Sequence, residues 1–340
     1  MSPRTSSLEK LGDEILGYRR AKLLMATAYL GFFYHLESPT SAAALSRKLH
    51  LDARACEIAL DALTAMGYAV KNANLYRNSA VSRRHLVRGR PGYLGDNLKY
   101  QEIIWDAWGE LRACLRRGGA MRPLNYWLAR HDGFTQEYIR GMDNIARRPA
   151  AEIARVVGAD RVDSLLDVGA GPGTYSLAFL RANPALHATL LDLPGTLRVT
   201  RRHLREHARA SARTTLIAAD YRRADFGRSC HDMVLFSHVT HDESPATNKL
   251  LLKKARLALR PGGRVVIHDF MLERSRTAPL FGALFSAHML VYTQSGRTYT
   301  RDEYRGWMRE EGFRSVYGRR ICPDAPNFTE ILVGTKEDAC

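Results

Sequence analysis

The sequence predicts an α/β protein, with a doubly wound parallel sheet in its C-terminal half and a mostly helical N-terminal domain. The main evidence is the stretch 165–174, an apolar run that ends in Asp167 and continues with glycines at alternate positions. Apolar runs of this length are typical of buried strands, and glycine lets the backbone turn sharply. Beyond it, strand, helix and turn patterns recur at the interval expected of a parallel sheet.

The N-terminal region has the order of elements of a winged helix. Apolar and aromatic residues occur throughout a helical stretch, Tyr18 to Leu36, so we expect it to be buried in an interface. Two further helical patterns, 41–49 and 53–66, flank a short turn, and two small strands follow at 67–70 and 75–78. Winged helices often bind DNA through basic residues of the second helix.

The second helix of this region argues against DNA binding. It begins Asp52-Ala53-Arg54 and contains Asp61, which complements phosphate poorly. A dimerisation and substrate-lid role is therefore favoured. We divide the chain into a winged-helix dimerisation domain (1–93), a helical connector or lid (94–155) and a sheet domain (156–340).

Composition limits the possible functions. The 340 residues are 45% hydrophobic, enough for two domains with a sizeable core. The net charge of +16 comes from basic residues spread along the chain, which indicates a solvated basic surface rather than a nucleic-acid footprint. Five widely spaced cysteines fit neither a zinc ribbon nor a disulfide framework. No apolar run suits a signal peptide or membrane span, so we expect a cytoplasmic protein without membrane contact.

Three successive segments of the sheet domain suit a nucleotide-like ligand. Gly169, Gly171 and Gly173 let the backbone approach a ligand, and the helix that follows presents free N–H groups. About twenty residues on, a second strand ends in Asp192, placed to accept hydrogen bonds from ribose hydroxyls. A third segment ends in Asp220-Tyr221, an acid beside an aromatic ring that suits adenine.

The later elements continue the same alternation. A fourth strand (232–237) precedes an amphipathic helix (246–259), a turn at 260–263 and a fifth strand (264–269). With the three preceding segments, this order resembles the class I S-adenosylmethionine (SAM)-dependent methyltransferases.

The winged-helix front and methyltransferase back together resemble the caffeic-acid-type and bacterial small-molecule O-methyltransferase family, from about Leu16 to Lys336. The resemblance implies a homodimer through the N-terminal domain, a small-molecule substrate and SAM as the cofactor. It also implies these cofactor contacts: Asp167, Gly169, Gly171, Gly173, Asp192, Leu193, Asp220, Tyr221 and Ser237.

The segment 236–243 lies where this family has a His-Asp-Trp motif. His241 and Asp242 match the motif, and Glu243 replaces the aromatic residue. In the family the histidine removes a phenolic proton as the methyl group arrives. A histidine with a pKa near neutrality can accept such a proton, so the resemblance implies that His241 is the general base.

A second histidine suggests another chemistry. His288 lies in an otherwise apolar helical stretch, 284–291, that corresponds to the family's substrate-facing helix. The His-Asp pair with this later histidine resembles a small set of 2-oxo acid C-methyltransferases. That resemblance implies that His241, Asp242 and His288 hold a metal ion, iron or zinc. Removing a C–H proton beside a ketone benefits from a Lewis acid, which stabilises the resulting enolate.

Two reactions thus remain open, and we favour metal-assisted C-methylation of a 2-oxo acid over O-methylation of a phenolic or hydroxy-aromatic substrate. Both use the same catalytic residues, and we expect substrate contacts from Trp105, Met142, Tyr292 and Arg297. A hypothesis from another class is a winged-helix DNA-binding regulator with a ligand-sensing methyltransferase-like domain. The complete glycine loop and the acidic second helix argue against it.

Overall fold

The computed structural model describes residues 7–124, 126, 132–325 and 328–337, and nothing of the side chains of 132–134. The chain divides into two compact units, residues 1–105 and 106–340. The division falls within the predicted connector, and the three-part domain scheme stays a prediction.

The first unit is mostly helical. Its elements are α1 (Ser7–Tyr29), α2 (Phe32–His35), α3 (Ala42–Leu49), α4 (Ala53–Ala65), β1 (Ala69–Asn72), β2 (Leu75–Asn78), α5 (Ala80–His85) and α6 (Gly95–Ile103). The side chains of Ser41 and Asp52 cap α3 and α4 by accepting hydrogen bonds from backbone N–H groups three residues on. Strands β1 and β2 pair as an antiparallel hairpin. The predicted order of helix, turn, helix and hairpin is therefore present.

The predicted first helix differs from the observed one in its bounds, and its burial in an interface stays a prediction. Helix α1 ends at Tyr29, because Gly31 adopts a left-handed conformation with φ 87° and starts the separate α2. Phe32 and Phe33 of α2 are buried in the unit's core. Near the start of α1, by contrast, Leu8 and Ile15 are exposed in the single chain.

The second unit carries the sheet. Its helices are α7 (Trp105–Gly109, beginning at the last residue of the first unit), α8 (Leu111–Arg117), α9 (Asp132–Val156), α10 (Thr174–Ala182), α11 (Pro194–Arg205), α12 (Ala208–Ser211), α13 (Pro245–Ala258), α14 (Leu280–Tyr292) and α15 (Arg301–Glu310), with 3-10 turns at Ala159–Arg161 and Thr240–Asp242. Its strands are β3 (Ser164–Val168), β4 (His187–Asp192), β5 (Thr214–Ala218), β6 (His231–Ser237), β7 (Leu259–Asp269), β8 (Phe313–Ile321) and β9 (Thr329–Lys336).

Among the described residues these seven strands form one sheet in the order β5-β4-β3-β6-β7-β9-β8. Strands β3 to β7 are parallel, whereas β9 runs antiparallel to both β7 and β8. The predicted turn at 260–263 is an irregularity within β7, whose pairing with β6 jumps from Leu259 to Arg264. The α/β prediction is confirmed.

The topology creates a ligand crevice. The chain runs outward from β3 to β4 and β5, and then returns to β6 on the other side of β3. Ligands of such sheets bind beyond the carboxyl ends of the strands where the order reverses. The central strands are apolar on both faces, as in Leu165, Leu166, Val234 and Leu235, because helices cover both sides. In the described part of the chain, none of the helices combines the length and apolar content needed to cross a membrane.

Candidate active site

The loop after β3 has a backbone that only glycine adopts easily. Gly169, Gly171 and Gly173 have φ values of 69°, 52° and 78°. A Cβ atom on Gly169 would lie 2.5 Å from the Val239 side chain, so this position also lacks room. The alternating glycines of the sequence therefore correspond to a loop at the crevice whose backbone favours glycine and which is tightly packed at Gly169.

Asp192 braces this loop. At the end of β4, its carboxylate accepts hydrogen bonds from the backbone N–H of Gly171 (2.8 Å) and of Leu193 (2.6 Å). Burial raises the pKa of Asp192, opposed by these N–H groups. Each carboxylate oxygen can accept more than one hydrogen bond, so capacity for the predicted ribose hydroxyls remains.

Asp167 lies at the opposite side of the loop, near the end of β3. It is buried and accepts a hydrogen bond from the Ser176 hydroxyl at 2.7 Å. Burial raises the pKa of Asp167 to about 7. A nearby cationic group would favour its charged form, and the α-ammonium group of an amino acid is such a cation.

The segment after β5 is linked to the segment that carries His241 through Glu243, which the sequence did not predict as a site residue. Asp220 accepts hydrogen bonds from the backbone and guanidinium of Arg222 (2.9 and 3.2 Å). The Tyr221 hydroxyl donates to Glu243 (2.7 Å), which is buried. The sequence did offer an indication of this link, since an acid stands where the family has an aromatic residue.

The 3-10 turn after β6 carries the predicted base. Nδ1 of His241 lies 2.6 Å from Asp269, at the end of β7. Because an ionised carboxylate only accepts, Nδ1 carries a proton in this pair and Nε2 is left for the reaction. Asp269 is fully buried and also accepts hydrogen bonds from Thr240 (2.7 Å) and from the Phe270 N–H (2.8 Å). These bonds fix the carboxylate before any ligand arrives.

Electrostatics favour the charged form of this pair. Burial lowers the pKa of His241, but the negative charges of Asp269 and Asp242 outweigh it and raise the pKa to about 9. Burial raises the pKa of Asp269, yet the positive His241 holds it well below its usual range. Asp242 lies 3.7 Å from Nε2 of His241, and burial raises its pKa to about 6.

The hydroxyl of Ser237 is already hydrogen-bonded within the protein. Its partner is Nδ1 of His268 (2.8 Å), whose Nε2 is bonded to Thr329 (2.6 Å). Burial lowers the pKa of His268 far below its usual value, so the ring is neutral. The predicted cofactor contact of Ser237 stays a prediction.

An aromatic wall faces His241. The Phe285 ring stands edge-on to His241 with centroids 4.9 Å apart, and Phe270 and Phe281 pack behind it at 4.6 and 6.0 Å. Beyond Phe285, the ring of His288 lies 5.5 Å away and stacks on Tyr292 at 4.9 Å. This wall suits a flat aromatic ligand beside the base.

The three predicted metal ligands do not form one cluster. In the described part of the chain, the group of potential ligand atoms within 4.8 Å of one another comprises His238, His241 and Asp269, without Asp242 or His288. Nδ1 of His288 accepts a hydrogen bond from the Trp108 indole (3.1 Å), and Nδ1 of His241 is bonded to Asp269. The residues present therefore do not fit the predicted metal site.

The predicted substrate contacts are distributed unevenly. Tyr292 belongs to the aromatic wall. Met142 is half-buried on α9. Its neighbour in the chain, Asp143, accepts a hydrogen bond from Thr174 (2.6 Å). The Arg297 guanidinium donates a hydrogen bond to Glu303 at 2.9 Å, and its predicted substrate contact stays a prediction.

Trp105 lies in the first unit, with the Lys22 ammonium 5.1 Å from its ring centroid. Its substrate contact stays a prediction.

Comparison with known proteins shows the family to which the chain is similar. A model of the O-methyltransferase domain matches residues 118–314. A relative from Streptomyces sahachiroi, 3-hydroxy-5-methyl-1-naphthoate 3-O-methyltransferase, is 30% identical over 334 residues, with 96% of this chain and 94% of that protein covered. L-tyrosine C(3)-methyltransferase of Streptomyces lavendulae is 26% identical, covering 97% of this chain and 93% of that protein.

A solved structure, PigF with SAH, is similar throughout. It has a TM-score of 0.86 at 25% sequence identity, and the match covers 98% of this chain and 100% of that chain. PigF itself comes from a Serratia species. These matches support SAM as the cofactor and lend no support to a metal ion or to 2-oxo acid C-methylation. They fit O-methylation, the alternative interpretation, better.

Proposed function

The chain belongs to the O-methyltransferase family and is a SAM-dependent methyltransferase, and from that premise we propose that it methylates a hydroxyl group on a small aromatic metabolite. The single observation that carries this proposal is the buried His241–Asp269 pair facing an aromatic wall. The metal-assisted interpretation is set aside, since His241, Asp242 and His288 do not share a cluster of ligand atoms.

The proposed division of labour begins with the cofactor. When bound, SAM supplies an electrophilic methyl group on a cationic sulfur, so the protein only has to position and deprotonate the acceptor. We propose that Asp167 and the glycine loop bind the amino-acid end of SAM. Asp192 and Leu193 would bind its ribose, and Asp220 and Tyr221 its adenine. The remaining acceptor capacity of Asp192 and the open space around Gly171 support this assignment.

His241 then removes the proton from the acceptor hydroxyl. Asp269 holds the Nδ1 proton, so Nε2 receives the hydroxyl proton and the resulting imidazolium lies beside a fixed carboxylate. Because the pKa of His241 is about 9, most of the enzyme already carries a proton on Nε2 at neutral pH and cannot accept another from the substrate. Activity should therefore increase as the pH rises toward 9.

The basicity of His241 selects acidic hydroxyls. A phenol has a pKa of about 10, close to the value of about 9 for His241. Proton transfer from phenol to His241 then costs only about 1 kcal/mol. Water has a pKa near 15.7, and aliphatic alcohols are similarly weak acids. Proton transfer from such a hydroxyl to His241 would cost roughly 9 kcal/mol. Phenols and naphthols are thus the acceptors that this pair can activate.

The first unit, we infer, is a winged-helix dimerisation domain. Leu8, Leu11 and Ile15 lie along one side of α1 and are exposed in the single chain, at 77%, 56% and 60%. A second copy of the chain is the natural cover for such a stripe. The DNA-binding alternative is weakened because Asp52 at the start of α4 caps its own helix. Free thiols at the described cysteines Cys56, Cys114, Cys230 and Cys322 favour a reducing compartment such as the cytoplasm.

The proposed reaction is tested by incubating the protein with SAM and a panel of phenols, naphthols and pyruvate-type 2-oxo acids. Mass spectrometry of the products would show whether a methyl group is gained and whether oxygen carries it. We expect O-methyl naphthols, and loss of this product in His241→Ala. Methylation of a 2-oxo acid with none of a hydroxy-aromatic compound would contradict the proposal.

A further inference from the structure

The contact between Trp108 and His288 has no role in the proposed chemistry. Trp108 belongs to α7 and His288 to α14, yet the indole Nε1–H donates to Nδ1 of His288 at 3.1 Å. The two rings are also stacked, with centroids 5.9 Å apart and an interplanar angle of 21°. An indole N–H can only donate, so Nδ1 must be the accepting nitrogen. The neutral imidazole of His288 therefore carries its proton on Nε2.

This proton is fixed across the physiological pH range. Burial lowers the pKa of His288 to about 4, and the positive charge of His241 contributes in the same direction. The ring therefore stays neutral, and its tautomer is set by Trp108. In the described part of the chain, Nε2 of His288 has no hydrogen-bond partner. His288 thus offers one N–H donor of defined direction.

His288 also shares a surface with the catalytic base. The ring of Phe285 neighbours both imidazoles, with its centroid 4.9 Å from that of His241 and 5.5 Å from that of His288. Tyr292 stacks on His288 at 4.9 Å and extends the same wall. A flat molecule along Phe285 would present one edge to His241 and another to His288.

We propose that Nε2–H of His288 donates a hydrogen bond to an acceptor oxygen, a carboxylate or a carbonyl, on the aromatic substrate whose hydroxyl faces His241. Trp108 is the positioning residue that holds His288 in the donating tautomer. This inference rests on the proposed function and narrows its substrate class to hydroxy-aromatic acids or ketones. A site with a fixed donor discriminates strongly against a compound that lacks the acceptor, because the donor is then left unpaired.

A matched pair of compounds tests this selection. The probes are 3-hydroxy-1-naphthoate, which carries the acceptor, and 2-naphthol, which lacks it. Wild-type enzyme should prefer the naphthoate in kcat/KM by about tenfold to hundredfold, the range for a hydrogen bond to a charged group. His288→Phe keeps an aromatic ring and should remove most of that preference, chiefly through KM of the naphthoate. Phe281→Leu, which thins the same wall without removing a donor, should affect both compounds alike.

A second measurement reads the tautomer directly. In protein with ¹⁵N-labelled histidine, the Nδ1 resonance of His288 should be that of an unprotonated nitrogen, and Trp108→Phe should shift it. The same variant should lower kcat/KM for the naphthoate several-fold more than kcat/KM for 2-naphthol. A protonated Nδ1 in the wild type would overturn the inference, as would an equal loss for both compounds in His288→Phe.

Binding separates this inference from the proposed reaction. Calorimetry of both compounds with enzyme saturated with S-adenosylhomocysteine needs no turnover. If neither compound is methylated but the naphthoate binds more tightly and His288→Phe abolishes the difference, the proposed reaction fails and the role of His288 stands. If methylation occurs and the two compounds bind equally well, the role of His288 fails alone.

Discussion

Replacement of Asp269 by asparagine should abolish most catalysis while leaving the fold in place. Asp269→Asn keeps the shape of the side chain but removes its charge. Its amide can also donate to Nδ1 of His241, which would place the imidazole proton on Nε2, the nitrogen that must accept the substrate proton. In a hydrolase triad the equivalent exchange of aspartate for asparagine lowers kcat by about 10⁴-fold. Here the methyl donor is already activated, so we expect a loss of about 10²-fold to 10⁴-fold in kcat.

The pH profile gives an independent readout of the same change. The wild-type rate should rise with pH up to about 9, the pKa to which Asp269 and Asp242 raise His241. Without the Asp269 charge, burial would dominate and the remaining activity should rise at a lower pH. We would measure kcat/KM for 2-naphthol from pH 6 to 10, and cofactor binding by calorimetry to show that the loop after β3 is intact.

A matched control is available in the same sheet. Asp232 accepts hydrogen bonds from the backbone N–H of Ser164 (2.9 Å) and from Arg260 (2.7 Å), without contact to the catalytic turn. Asp232→Asn should leave kcat/KM within about twofold, since it lies away from the reacting atoms. A rate in Asp269→Asn within about threefold of wild type, with an unchanged pH profile, would refute the assigned role of the His241–Asp269 pair.

Three further outcomes follow from the same geometry. Gly169→Ala should abolish cofactor binding in calorimetry, because its Cβ would lie 2.5 Å from Val239. Gly171→Ala has open space around the new Cβ and should weaken binding less. Equal affinities of the two variants would contradict this account. Tyr221→Phe removes the hydroxyl that bonds to Glu243 and should raise KM for SAM several-fold. The kcat should also fall, because Glu243 lies two residues from His241, and unchanged values of both constants would contradict this account. Treatment with a chelator followed by gel filtration should leave naphthol methylation unchanged, and activity restored only by added iron or zinc would revive the metal interpretation.

The backbone of the site could be predicted from the sequence because its determinants are local. The run before Asp167, the alternating glycines and the acid at the end of β4 each depend on neighbours within a few residues. Strand periodicity and glycine conformation are properties of such short segments. The structure accordingly has the predicted strands, and Gly169, Gly171 and Asp192 meet at the crevice.

The partners of the catalytic side chains could not be predicted, because they come from distant segments. Asp269 reaches His241 across 28 residues, and Trp108 reaches His288 across 180. Sequence proximity favoured Asp242 as the functional acid, whereas the structure places the closer carboxylate at the end of the neighbouring strand. The metal hypothesis depended on the residue types of His241, Asp242 and His288, and in the described part of the chain their ligand atoms do not form one cluster.

The turn that carries the proposed base also links the sites proposed for the two substrates. His241 is bonded to Asp269, and Glu243, two residues on, accepts the hydroxyl of Tyr221 from the segment proposed to hold adenine. The backbone carbonyl of Glu243 further accepts a hydrogen bond from the buried Tyr299. Because His241 and Glu243 lie two residues apart, a movement of the Glu243 side chain is expected to move His241 as well. Ordering of Tyr221 by the cofactor would therefore also fix His241 in place, so that the base is best aligned when a methyl donor is bound.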